Sequence, residues 1–268
     1  MTAFEAAFLG LVQGATEFLP VSSSAHLFLA NRLLGFQEPR LAFHLLLHLG
    51  TLSAVVYFLR TEIAEIVVSL FRRRQTMWTP PSSWGRRDLW LGILATIPTG
   101  VIGILFKDSV ETGITFWGVG ARYLILTFAL LLTGIRLFQK EYPDRIEWWE
   151  ALAIGVVQGL AVFPGLSRSG STIIFMLLLG VAPMRAAKFS FLISVPAILG
   201  ASLVAMKGAS LQGTYGPAVL VTGFLVSMAV GYIALVVVER LVVKGRFYRF
   251  APYTLALAGL CFYLQYAG

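Results

Sequence analysis

The sequence predicts an all-α integral membrane protein with six transmembrane helices, two re-entrant helical hairpins and an inverted internal repeat. Three observations carry that expectation. The 268 residues are 57% hydrophobic and 13% charged, with a mean hydropathy of +0.80, whereas a soluble domain carries about 25% charged residues. Two apolar stretches are broken by proline beside serine or glycine, at Pro20 and Pro164. The segments around those breaks repeat at an offset of 145 residues.

A helix that crosses the ~30 Å hydrocarbon layer needs roughly 20 mostly apolar residues. The first stretch, 4–19, stops at Pro20, and a short run, 27–34, follows it. Each half is too short to cross alone, so the pair reads as a hairpin that enters and leaves on one side. Segments 41–59, 89–106 and 114–137, the last interrupted by Arg122, read as full spans. A second broken pair, 151–163 and 170–184 around Pro164, reads as the second hairpin. Segments 189–206, 218–238 and 251–266 complete six crossings.

Charge sets the expected orientation. If both hairpins return to the side they entered, 15 Lys and Arg fall on one side and five on the other, with Arg168 left inside a hairpin. The richer side is then cytoplasmic, and both termini lie outside. The same distribution accounts for the net charge of +8 without a nucleic-acid partner, because the basic residues sit between apolar runs where anionic lipid meets them. Arg72, Arg73 and Arg74 read as a lipid-facing anchor, and Trp117, Tyr142, Trp148 and Trp149 as interfacial belts. The single cysteine, Cys261, has no internal disulfide partner. The segment from Met1 to Glu5 has no basic region, so a removable signal peptide is not expected.

Val12-Gln13-Gly14 recurs as Val157-Gln158-Gly159, and Phe18 with Pro20 is echoed by Phe163-Pro164, each followed by serines. The chain therefore reads as a single membrane domain, 1–268, of two repeats, approximately 1–140 and 147–268. Three crossings per repeat invert the second relative to the first. Inverted repeats bring their broken helices to a shared site near the membrane midplane.

In the first turn, Pro20 ends the entering half-helix, since it lacks an N–H and clashes with the preceding turn. Ser22, Ser23 and Ser24 fall where the returning half-helix needs a cap, and its free N–H groups make an anion site. The serines either cap only or also hold a ligand. Gln13 and Glu17 share a face one turn apart, and His26 lies three or four residues beyond the serines. An ionisable group inside the membrane is a functional candidate by default, which singles out Glu17 and His26. In the second turn Arg168 is the basic residue of an uncharged stretch, flanked by Gly165, Ser167, Ser169 and Thr172. A buried guanidinium needs an anion, either Glu17 in an internal pair or the two oxygens of a phosphate-like ligand. His44 and His48 lie one turn apart in the first full span and can face one way as a metal pair, though such a site usually needs a third ligand that the sequence does not place.

Gln13 to Glu17, Phe18 to Ser23 with His26, and Pro164 to Thr172 together resemble the bacitracin-resistance type of undecaprenyl pyrophosphate phosphatase over essentially the whole chain. That resemblance implies a hydrolase that cleaves a C55-isoprenyl pyrophosphate to the monophosphate carrier at the outer face of the bacterial plasma (inner) membrane, using a divalent cation, Mg²⁺ or Ca²⁺. Many members carry Glu where this chain has Gln13, and Thr-Gly is frequent where Ser24-Ala25 stands. Carried onto this chain, Arg168, Ser167, Ser169, Thr172 and Gly165 would cradle the pyrophosphate, with Gln13, Ser22 and Ser24 alongside. Ser23 would be the nucleophile unless water attacks directly. His26 would be its base or a proton donor, and Glu17 would hold the cation or orient the attacking group. The expected partners are the prenyl pyrophosphate and membrane lipid, with homo-oligomerisation left open. Inverted repeats around half-helices are shared with carriers, so a secondary transporter or lipid flippase for an anionic substrate is the rival reading.

Overall fold

The computed structural model describes residues 1–33, 41–71, 84–106, 109, 115–134, 145–208 and 215–267. Arg72, Arg73, Arg74 and Tyr142 lie outside the described residues, as do 135–137 of the expected third span. The described residues are helical, with no strand among them.

Helix α1, Ala3–Phe18, starts at a capping box in which Glu5 N–H donates to Thr2 Oγ1 and Thr2 N–H to Glu5 Oε2. It stops ahead of Pro20, and α2, Ser23–Leu33, turns back. At 1.5 Å per residue these helices are only about 24 and 16 Å long. Helix α3, Leu41–Phe58, meets α4, Arg60–Phe71, at a bend of 68°. Helix α5, Arg86–Leu105, opens on Asp88, whose carboxylate accepts Gly85 N–H. Thr115 caps α6, Phe116–Leu132. The second hairpin pairs α7, Trp148–Leu160, with α8, Arg168–Leu178. Two long helices follow, α9, Pro183–Gly208, and α10, Pro217–Val243, and a 3₁₀ turn, Phe247–Phe250, leads into α11, Ala251–Ala267.

Among the described residues three helices are long and apolar enough to cross a membrane: α5, α10 and, over Pro183–Val204, α9. The bent pair α3–α4 makes a fourth if it is one span. Helix α6 closes at Leu132, where the sequence placed a span reaching residue 137. The segment 60–87, read from sequence as a connecting gap, contains α4. One face of α4 buries Glu62 and Ile66, while Val67, Val68, Leu70 and Phe71 stay exposed. Large apolar side chains also remain uncovered on the bundle, Leu105 at 71% and Phe128 at 66%, a surface whose matching solvent is lipid.

The packing rests on two glycine seams. Helix α1 lies on α10, and a Cβ on Gly14 would stand 2.8 Å from the Ser227 carbonyl oxygen. Helix α7 lies on α5, and a Cβ on Gly159 would stand 2.8 Å from Ile102 Cβ. Small residues let helices approach closely where lipid removes the hydrophobic drive for association. Helix α9 touches both α3 and α5, and α6 pairs with α11. Ion pairs tie α9 to its neighbours: buried Arg185 to Asp88 of α5, and half-buried Lys188 Nζ to Glu62 Oε1 of α4 at 2.5 Å. This frame holds the tips of the two hairpins against each other.

Candidate active site

The first tip is shaped by Pro20. Past it Ser22 takes a left-handed φ of +64°, and the chain re-enters a helix at Ser23. The second tip carries Gly165 at φ +109°, packed so that a Cβ would lie 2.9 Å from the Val119 carbonyl oxygen. Only glycine meets both conditions without strain. Ser167, at φ +54°, caps α8 by accepting Gly170 N–H at 3.2 Å.

The tips interlock through their serines. Gly165 N–H donates to Ser22 Oγ at 2.9 Å, and Ser167 Oγ donates to the Leu19 carbonyl at 3.2 Å. Ser169 Oγ lies 3.4 Å from the carbonyls of Glu17 and Leu19. Gly170 abuts Pro20 so closely that an added Cβ would stand 2.8 Å from its ring. Arg122 Nε donates to the Pro164 carbonyl at 2.6 Å and steadies the second tip from α6.

At the centre stands Glu17, 8% exposed. Its Oε1 accepts Arg168 Nη2 at 2.7 Å. Its Oε2 accepts Ser23 Oγ–H at 2.6 Å and Gln13 Nε2 at 2.9 Å. Arg168 also donates through Nη1 to the Ser194 carbonyl at 3.1 Å, which aims the guanidinium from α9. A carboxylate held by a guanidinium, an amide and a hydroxyl is a hydrogen-bonded buried anion that still has acceptor capacity at Oε1. Arg168 thus has the internal partner that its burial demands, and its planar fork is poised beside hydroxyls.

The site residues expected from sequence come together, with one difference in pairing. Ser23 Oγ bonds to Glu17, not to His26. The Nδ1 of His26 donates to the Ser22 carbonyl at 2.9 Å, and its Nε2 lies 2.7 Å from the Tyr253 hydroxyl. Thr172 is fully buried and shares a 2.6 Å bond with Ser190 Oγ. Ser24 is exposed, 3.3 Å from Ser22 Oγ.

Several neighbours had no place in the phosphate site as read from sequence. His48 Nδ1 accepts Gln13 Nε2 at 2.9 Å and lies 3.6 Å from Glu17 Oε2. Its one-turn spacing from His44 marked it, but for a metal pair. Among the described residues no group of three His, Cys, Asp or Glu could hold a metal ion. Ser190, Ser194 and Tyr253 carry no local motif; only the fold brings them in.

A divalent cation needs hard oxygen donors, and Mg²⁺ is commonly held by one or two carboxylates completed by substrate phosphates and water. Gln13 is fully buried, and its Oε1 has no hydrogen-bond partner among the described residues. That orphaned acceptor beside the Glu17 carboxylate supplies two hard oxygens on one helix face, a donor set that fits such a cation.

Comparison with known proteins adds the following. The family model of the bacitracin resistance protein BacA matches residues 6–260. An undecaprenyl-diphosphatase of Desulforapulum autotrophicum is 39% identical over 267 residues, covering 94% of this chain and 95% of its own length. One of Methanosphaera stadtmanae is 40% identical over 258 residues, covering 90% and 89%. One of Carboxydothermus hydrogenoformans is 37% identical over 276 residues, covering 100% and 99%.

Proposed function

The chain belongs to the bacitracin resistance protein BacA family, and from that premise we propose that it is an undecaprenyl-diphosphatase. It is a hydrolase of the membrane, cleaving a long-chain prenyl pyrophosphate to the monophosphate and inorganic phosphate. The observation that carries this reading is the contact across the two hairpin tips, where Arg168 meets Glu17 at 2.7 Å and Glu17 meets Ser23 at 2.6 Å.

Phosphoryl transfer passes through a loose transition state, so catalysis is mostly positioning and charge neutralisation. Arg168 binds the terminal phosphoryl oxygens, with Ser167, Ser169, Thr172 and the N–H groups at the start of α8 around them. Ser23 Oγ attacks the terminal phosphorus and gives its proton to Glu17 Oε2. The bond from phosphorus to the bridging oxygen breaks, and the prenyl monophosphate leaves with the electron pair. Water then attacks the phosphoserine, loses a proton to a site base and releases inorganic phosphate, while Ser23 recovers its own proton from Glu17. His26 takes part in proton exchange at this second step. Glu17 and Gln13 Oε1 would hold a divalent cation, Mg²⁺ or Ca²⁺, which when bound supplies neutralisation of the phosphate oxygens.

The finer architecture in this reading is six crossings with two re-entrant hairpins in inverted repeats, the site toward the outer face of the inner membrane and both termini outside. Its support is the packing: exchanging α1 with α7, α3 with α9 and α5 with α10 maps α1–α10 onto α7–α5 and α3–α10 onto α9–α5. In that place the enzyme recycles the lipid carrier of cell-wall synthesis, the activity that underlies bacitracin resistance.

The test is phosphate release from a C55 prenyl pyrophosphate by purified protein in detergent, with and without chelator. The expected result is release that falls on chelation and returns with Mg²⁺. Binding without cleavage would instead mark a transporter or flippase of an anionic lipid.

A further inference from the structure

The proposed mechanism gives no part to Tyr253, yet this side chain reaches from α11 to the Nε2 of His26, 227 residues away in sequence. The two rings are nearly parallel and meet edge to edge, with centroids 5.8 Å apart and an interplanar angle of 12°. The hydroxyl lies 2.7 Å from Nε2. On the other edge of the imidazole, Nδ1 faces the Ser22 carbonyl at 2.9 Å. A carbonyl only accepts, so Nδ1 carries the hydrogen of the neutral ring. Nε2 is then the lone-pair nitrogen, and the Tyr253 O–H donates to it. Behind this edge stands Tyr123, fully buried, whose hydroxyl donates to the Val21 carbonyl at 2.8 Å and lies 3.3 Å from Nδ1.

His26 is therefore met at both nitrogens by two tyrosines from different helices. The nitrogen able to gain or lose a proton is the one under Tyr253, and that tyrosine is 47% exposed whereas Glu17 is 8% exposed. We infer that Tyr253 is a positioning residue for the hydrolysis: its hydroxyl sets the tautomer and orientation of His26 and stands between the reactive nitrogen and the surface. The inference rests on the phosphatase reading, and it assigns a role to the last helix, which contributes no residue to the phosphate cradle.

The experiment measures kcat and KM for prenyl pyrophosphate hydrolysis by wild type, Tyr253→Phe, His26→Ala and the double variant. Tyr253→Phe keeps the ring and removes only the hydroxyl, so the fold is retained. The expected result is a kcat loss of at least about tenfold with KM within about twofold, since a correctly presented acid–base group is worth about 10²–10⁴ in rate. In the His26→Ala background the same change should cost less than about twofold, because the two act as one unit. A wild-type kcat in Tyr253→Phe, or an equal loss in both backgrounds, overturns the inference. If wild type releases no phosphate, the functional reading fails instead. The contact is then read separately from the imidazole ¹⁵N shifts of His26, which should report Nδ1–H in wild type and change in Tyr253→Phe.

Discussion

Each residue of the centre is explained by what a buried polar group requires. Glu17 and Arg168 could be picked out in the sequence because a charge in an apolar stretch must find an opposite charge or a ligand. The internal pair at 2.7 Å meets that demand at rest, and in the proposed mechanism a phosphoryl group takes over the guanidinium. Removing one partner strands the other, so Glu17→Gln and Arg168→Ala should each slow steady-state phosphate release by at least about a hundredfold. The 2.6 Å bond from Ser23 to Glu17 predicts a phosphoserine at position 23. Mass spectrometry of acid-quenched single turnovers should find it, and its absence under slow turnover would transfer the attack to water. The partner of His26 was not legible. Its spacing from Ser23 on a helix suggested a nucleophile–base pair, but the ring is turned by the Ser22 carbonyl toward a tyrosine that no local pattern marks.

At the scale of elements, the breaks were readable because proline acts locally: it removes a donor and blocks the preceding turn wherever the fold places it. Helix ends were less so. Helix α6 stops at Leu132, and α4 occupies part of a segment, 60–87, read as a basic gap between spans. The carboxylate of Glu62, buried on α4, is paired by Lys188 from α9, a partner that no local pattern marks. The glycine seams give the clearest test here. Gly14→Leu would drive a side chain into the Ser227 carbonyl, and overpacking of this kind costs about 1–3 kcal/mol or more. A lowered midpoint of thermal unfolding in detergent should follow, while Gly100→Ala, whose added Cβ meets nothing within 4 Å, should leave it unchanged.

At the scale of the molecule, the repeat and the charge distribution argue for one orientation, with the tips of both hairpins on a common centre. Cys261 is buried, so a single cysteine introduced at Thr2 can be labelled selectively in intact cells. A membrane-impermeant maleimide should reach Thr2→Cys from outside and reach Arg72→Cys only after the cells are opened. The reverse pattern would invert the topology and move the site to the cytoplasmic face. The central claim is that two loops 151 residues apart make a single catalytic centre. The measurement that meets it most directly is a kinetic double-variant cycle across the loops, using Glu17→Gln, Arg168→Ala and the pair. A shared centre predicts that the pair is about as slow as the worse single variant, since groups that act as a unit are not additive. Losses that multiply, or a single variant near the wild-type rate, would contradict it.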